Sequence, residues 1–167
     1  MPTPLHVAEQ IAAEMIESGQ VRMEVWELLC DCLPSDEPRR EANIGRASSM
    51  GFCSGAYSQG PLSGLRQNTT LFPWVTLLVC KFIRSCTHEP FTSFVLQRNT
   101  SMGHKDLNNA KDSVNVLLPC STFRGGGLWI EQSGGQCASQ DGTLYGHRIT
   151  VAVYTVREVH SLQPEHR

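Results

Sequence analysis

The sequence predicts an α+β protein, with helices in its N-terminal part and several short strands in its C-terminal half. Apolar residues recur with a 3.6-residue period over residues 4–33, whereas the period falls to two after residue 90. Glycine pairs and triplets separate the later apolar runs and indicate turns. Because helices followed by strands are typical of α+β chains, we expect the C-terminal half to form a sandwich or barrel.

The N-terminal segment, residues 1–50, is predicted to be helical and to end in a polar linker. Thr3 can cap a helix and Pro4 suits its first position. Gly19 interrupts the apolar pattern, which then resumes. Residues 34–50 are polar and begin with a proline, so we expect a linker with no packed core of its own.

The second unit, residues 51–160, is predicted to be a β domain followed by a short tail at 161–167. Four glycines within residues 51–64 indicate a turn-rich stretch, and Pro73 opens a buried helix at 72–86. The alternating runs predict strands, one of which ends at a proline. These strands are expected at 92–97, 113–118, 127–131 and 148–156.

Composition excludes some classes of protein. The 167 residues carry a formal net charge of −2, which argues against a histone-like or polybasic binder. No apolar run is long enough to cross a bilayer, so we expect no membrane segment. The N-terminus has neither the basic nor the apolar region of a signal peptide, which predicts an intracellular protein, with cytoplasm and nucleus not distinguished.

The cysteines and two glycosylation sequons are interpreted as structural or accidental. Seven cysteines without a secretory signal favour reduced thiols. Cys30-x-Cys32 and the Cys80/Cys86 pair lack zinc spacing and fall in predicted helices, so we expect small core residues there. The sequons at Asn68 and Asn99 are expected to be chance matches.

The sharpest local signal is His104-Lys-Asp106. On an extended segment, residues i and i+2 point the same way, so the imidazole and the carboxylate converge on one point. That is two-thirds of the 2-His-1-carboxylate arrangement that holds non-haem Fe(II). A surface histidine beside an aspartate is the simpler alternative.

The wider context resembles a known family. The chain reads H-K-D-L-N-N after a strand-like run from Phe91, then G-G-G-L-W within residues 123–131, then G-H-R-I-T-V-A-V-Y from Gly146. This ordered series resembles the TET/JBP-like branch of the Fe(II)/2-oxoglutarate dioxygenases, especially shorter protist proteins of that type. The resemblance covers roughly residues 50–160. It implies an incomplete double-stranded β-helix, a jelly-roll-like core.

The resemblance also implies roles for individual residues. His104 and Asp106 would be iron ligands, Arg148 would pair with the distal carboxylate of 2-oxoglutarate, and Thr150 would donate a hydrogen bond to it. Asn109 would contact a target base. Arginine suits a carboxylate because its planar fork gives two parallel charge-assisted bonds. Alternatively, Arg148 is a surface cation on an edge strand and Asn109 is a turn residue.

One departure from the family affects the metal site. The family's third ligand is a histidine upstream of the arginine strand, but residues 132–145 contain none. That interval spans at most about 46 Å, enough for one short hairpin. Alternation along the strand turns His147 away from the face of Arg148, so it could ligate only through a bulge. The other donors considered are poorly placed or too soft for this iron: His88, His160 and Cys137.

Three functions follow as expectations. The first is a dioxygenase of this type, using Fe(II) and the small-molecule co-substrate 2-oxoglutarate to hydroxylate a C–H bond, with activity impaired by the missing ligand. The second is a degenerate, non-catalytic binding module, and the third is an interaction protein in which the H-K-D motif is accidental. Nucleic acid is implied as a partner only by the resemblance. The oligomeric state stays open.

Overall fold

Helices and antiparallel strands both occur in the structure, which confirms the α+β prediction. The computed structural model describes residues 1–36, 50–99, 109–124, 147–158, 160 and 162. In chain order its elements are α1 (Val7–Ser18), α2 (Met23–Cys32), β1 (Met50–Gln59), β2 (Leu62–Leu65), α3 (Gln67–Leu71), α4 (Pro73–Cys86), β3 (Ser93–Arg98), β4 (Val116–Pro119) and β5 (Ile149–Tyr154).

The described strands form one antiparallel sheet in the order β2-β1-β3-β5-β4. Strand β3 is central: Phe94 pairs with Ser54 of β1 on one side and with Val153 of β5 on the other. Within the described residues the sheet is open, with β2 and β4 at its edges.

Helices α1, α2 and α4 cover one face of this sheet. Alternate strand residues, such as Phe52, Leu96 and Val151, lie with apolar helix residues in a single buried cluster. Two polar contacts also join α2 to this layer: an ion pair between Asp31 and Arg98 of β3, and a hydrogen bond between Glu27 and His147 just before β5, each with a nitrogen–oxygen distance of 2.5 Å. The opposite face of the sheet carries the other half of the alternating residues.

The first helix begins later than the sequence predicted. Thr3 does not cap it. Instead, the Nδ1 atom of His6 accepts a hydrogen bond from the backbone N–H of Ala8 at 3.1 Å, and α1 starts at Val7. The interruption at Gly19 is confirmed, since its φ of +70° ends α1 in the left-handed conformation that glycine adopts without strain.

The glycine-rich stretch at 51–64 is a hairpin rather than a run of turns. Strands β1 and β2 pair from Ala56 and Leu65 to Gln59 and Leu62 around a turn that includes Gly60, whose φ is +59°. Gly55 has a φ of +100°, and a Cβ there would lie 2.2 Å from the carbonyl oxygen of Thr92. Glycine at position 55 therefore allows β1 to approach the chain before β3 closely. Strand β1 has no alternation of apolar residues from which it could have been predicted.

The other predicted elements are confirmed with shifted ends. The helix expected at 72–86 is α4, although the short helix α3 before it was not predicted. Strands β3, β4 and β5 lie within or next to the predicted strands, whereas the strand expected at 127–131 lies outside the described residues. None of the described helices is both long enough and apolar enough to cross a membrane.

Candidate functional site

Arg148 and Thr150 lie at the beginning of β5. Ile149 and Val151 point into the core beneath the helices, so the alternation along β5 places Thr150 on the opposite face. The Thr150 side chain is buried, and its Oγ1 atom accepts a hydrogen bond from Nε2 of Gln97 on β3 at 3.1 Å. The structure therefore brings an arginine, a threonine hydroxyl and a glutamine amide to one end of the β3–β5 pair.

The backbone of Arg148 is held by Asn99, which follows β3. The Arg148 N–H donates to Oδ1 of Asn99, and the Asn99 N–H donates to the carbonyl of Arg148, both at 2.9 Å. Asn99 has a φ of 54°, a conformation that asparagine tolerates better than most residues. Sequence reasoning treated Asn99 as part of a chance sequon and missed this role. An isolated asparagine directly after a strand is the signal that could have indicated it.

His147 lies on the side of the sheet that carries the helices. Its Nδ1 atom is 2.5 Å from Oε1 of Glu27 on α2, and its carbonyl accepts a hydrogen bond from the hydroxyl of Ser121. This position follows the alternation expected from the sequence, in which His147 and Arg148 face opposite ways.

Asn109 lies at the other end of β5. It forms a β-bridge with Val156, and its Nδ2 atom donates to Oδ1 of Asn115 at 2.9 Å. Eight residues of nearly extended chain separate Val156 from Arg148, or about 25 Å. The structure thus does not bring Asn109 and Arg148 together.

The proposed iron ligands His104 and Asp106 lie outside the described residues, as does Cys137. Among the residues that are described, no three histidine, cysteine or acidic side chains form a group that could hold a metal ion. The described part of the chain therefore adds no donor to the predicted metal site.

The cysteine thiols divide between the core and the surface. Cys30 and Cys120 are buried, and burial raises the pKa of each thiol to about 12. Cys32 and Cys80 are half-buried, so the expectation of core residues is met best by Cys30. It is wrong for Cys86, which is exposed near the end of α4.

No family model, curated protein or solved structure matches this chain.

Proposed function

We propose that this chain is an Fe(II)/2-oxoglutarate dioxygenase-like protein of the TET/JBP type, which binds 2-oxoglutarate through Arg148 and Thr150 and whose oxygenase activity is impaired. The proposal includes an incomplete double-stranded β-helix, of which the described sheet would be one layer. In this class of reaction, the metal and 2-oxoglutarate together reduce O₂, yielding succinate, CO₂ and a hydroxylated C–H bond. By resemblance, that bond belongs to a modified nucleobase.

The observation that supports the proposal is the arrangement at the start of β5. A threonine hydroxyl offers one donor and two acceptor positions. Because Gln97 already donates to Thr150, the hydroxyl hydrogen is available for a carboxylate oxygen. Asn99 fixes the backbone of Arg148 from both sides, which restricts where its side chain can reach. Thr150 is 3% exposed, so a carboxylate bound there would be shielded from water. Hydrogen bonds to it would be stronger in this environment than in water.

The described residues do not complete an iron site, and we derive no chemical step through iron. The sequence between Glu131 and Gly146 has no histidine, and His147 is engaged by Glu27 on the helix side. The same observation favours the alternative function, a degenerate binding module that keeps the 2-oxoglutarate site and has lost oxidation. The two candidates share the dicarboxylate site and differ at the metal.

Thermal unfolding with added dicarboxylates tests the binding site. A ligand that binds only the native state raises stability by mass action, about 2.7 kcal/mol at a hundredfold excess over Kd. We expect 2-oxoglutarate to raise the Tm of the wild type. In Arg148→Gln and in Thr150→Val the rise should be smaller and should correspond to an apparent affinity at least tenfold weaker. Arg22→Gln, which removes an exposed arginine before α2, is the matched control and should keep the full rise. No rise at millimolar 2-oxoglutarate would refute the proposal.

Glutarate and Co(II) distinguish an impaired metal site from a complete one. A 2-oxo acid can chelate a metal through its keto oxygen and adjacent carboxylate, whereas glutarate lacks the keto group. With the metal site incomplete, we expect glutarate and 2-oxoglutarate to stabilise equally, with no effect of Co(II) and no succinate formed under Fe(II) and O₂. The opposite outcome is that Co(II) strengthens the binding of 2-oxoglutarate but not of glutarate. If His104→Ala abolishes that effect, the metal site is complete and the claim of impairment is wrong.

A further inference from the structure

The outer edge of β1 is closed by separate contacts from Asp36, Asn68 and Arg66 rather than by a strand. Residues 51–55 of β1 have β3 on one side, and β2 begins to pair only at Ala56. On the open side, Oδ2 of Asp36 accepts from the Cys53 N–H at 2.8 Å, and Nδ2 of Asn68 donates to the Cys53 carbonyl at 3.0 Å. Oδ2 of Asp36 also accepts from Nδ2 of Asn68. Asp36 and Asn68 thus satisfy backbone groups of β1 that would otherwise be unpaired at the edge of the sheet.

A groove of about 480 Å³ lies beside this sealed edge. It is open to solvent, and its lining is mainly polar. Besides Asn68, the groove is lined by Asp36, Cys53, Tyr57, Leu65, Arg66 and Gln67.

The side chain of Arg66, which also lines the groove, takes no part in closing the edge. Its backbone bonds to Gly55 and Thr69, but within the described part of the chain its guanidinium makes no hydrogen bond or ion pair. The Nε atom is buried and has no partner among the described residues. A buried N–H without an acceptor costs free energy, so the folded chain holds this guanidinium at an energetic cost. Asp36 does not supply that acceptor, since no ion pair joins it to Arg66.

The thiol of Cys53 in the same groove does not neutralise Arg66 either. Burial raises the pKa of the Cys53 thiol, with Arg66 opposing the rise and Asp36 adding to it. The thiol therefore stays protonated at neutral pH and carries no charge that could pair with the guanidinium. Arg66 and Asp36 both lie near Cys53, and among the described residues no ion pair joins them.

We propose that this groove binds a small molecule bearing an oxyanion, either a carboxylate or a phosphate, through the guanidinium of Arg66. The planar guanidinium presents donors in a fixed fork that matches both groups. Tyr57 and Gln67 line the same groove and carry further hydrogen-bonding groups for the ligand. The site is separate from Arg148 and does not rest on the dioxygenase proposal.

The Nε–H resonance of Arg66 gives a direct test by ¹H–¹⁵N NMR of the full chain. The resonance is assigned by its loss in Arg66→Lys. We expect it to shift saturably with inorganic phosphate or with acetate, and not with chloride at equal ionic strength. The anion with the lower Kd identifies the source of the oxyanion. The same shift with chloride, or none with either anion, would overturn the proposal.

Variants separate this site from the one at Arg148. Arg66→Lys should weaken anion binding at least tenfold, because it replaces the fork with a point charge, and backbone resonances near Cys53 report binding in that variant. Gln67→Ala, at an exposed position, should weaken it less without affecting folding. Arg148→Gln and Arg22→Gln should leave it unchanged. Loss of binding in Arg148→Gln with retention in Arg66→Lys would assign the anion to the other site and refute this one.

Discussion

At the scale of single residues, Cys30 and Cys120 behave as small apolar side chains. Cys30 is 3% exposed on α2 and Cys120 is fully buried after β4. Burial is the main cause of their raised pKa values, and the neighbouring Cys30 adds to the rise at Cys120. The folded protein therefore keeps both thiols protonated at pH values where an unfolded chain has lost those protons.

This difference predicts a loss of stability at alkaline pH. An ordinary thiol has a pKa near 9, whereas these reach about 12 when folded. Between those values the unfolded state binds fewer protons, so the free energy of unfolding should fall by about 1.4 kcal/mol per pH unit for each thiol. Below pH 8 the contribution should be constant. Urea denaturation from pH 7 to 10.5 measures the slope.

A double Cys30→Ala, Cys120→Ala variant should show a shallower alkaline slope than the wild type. Cys32→Ala is the matched control, because Cys32 is half-buried and is not among the groups that raise the pKa of Cys30 or Cys120. Equal slopes in all three proteins would show that the buried thiols do not cause the alkaline loss.

At the scale of elements, a carboxylate from α1 caps the N-terminus of α4. Glu9 is 4% exposed, and its two oxygens accept from the backbone N–H groups of Trp74 and Val75 at 3.1 and 2.8 Å. The first N–H groups of a helix have no partner within it, and negative charge is favoured at that end. Phe72, the residue before α4, provides no side-chain cap, so Glu9 takes that role from 65 residues away.

Glu9→Gln should lower the free energy of unfolding by about 1–3 kcal/mol, because it replaces two charge-assisted hydrogen bonds and leaves a buried donor facing the helix end. Chemical denaturation measures the change. Glu14→Gln, at an exposed position of α1, should change stability by less than about 0.5 kcal/mol. Similar losses in both variants would mean that Glu9 acts through the charge of α1 and not as a cap.

At the scale of the whole molecule, the N-terminal helices and the sheet share one core. The main buried cluster draws residues from α1, α2 and α4 and from the strands β1, β3 and β5. Phe52 is fully buried in this cluster, and its ring meets that of Phe72 edge-on at 5.5 Å. Unfolding of either the helical layer or the sheet would expose the apolar face of the other.

We therefore expect one cooperative unfolding transition, with circular dichroism of the helices and fluorescence of the three tryptophans, of which Trp26 is buried in the core, giving the same midpoint. Phe52→Ala should lower the free energy of unfolding by about 3–5 kcal/mol and move both midpoints together. Leu62→Ala, at an exposed position of β2, is the control and should have little effect. Separate midpoints for the two signals would contradict a shared core.

The strand and the face that carry Thr150 could be predicted, but their surroundings could not. The strand that carries Arg148 and Thr150 was predicted from alternation, and so was the face of Thr150, because Ile149 and Val151 are the apolar half of that alternation. The hydrogen bonds from Asn99 and Gln97 were not, since nothing in the spacing shows that β3 lies beside β5. Arg66 was missed because an arginine among glycines and polar residues gives no sign of whether it will find a partner.

Local patterns along the chain were enough to predict the α+β class, the helix α4 and the strands β3 and β5. These are local properties, set by side-chain periods of 3.6 and two and by the turn preferences of glycine and proline. The fold was needed to show that a glycine-rich stretch forms β1 and β2, that Glu9 caps a distant helix, and that the Arg66 guanidinium has no acceptor among the described residues. Each of these depends on which chain segments become neighbours in the sheet and its helical layer, and residue spacing carries no record of that.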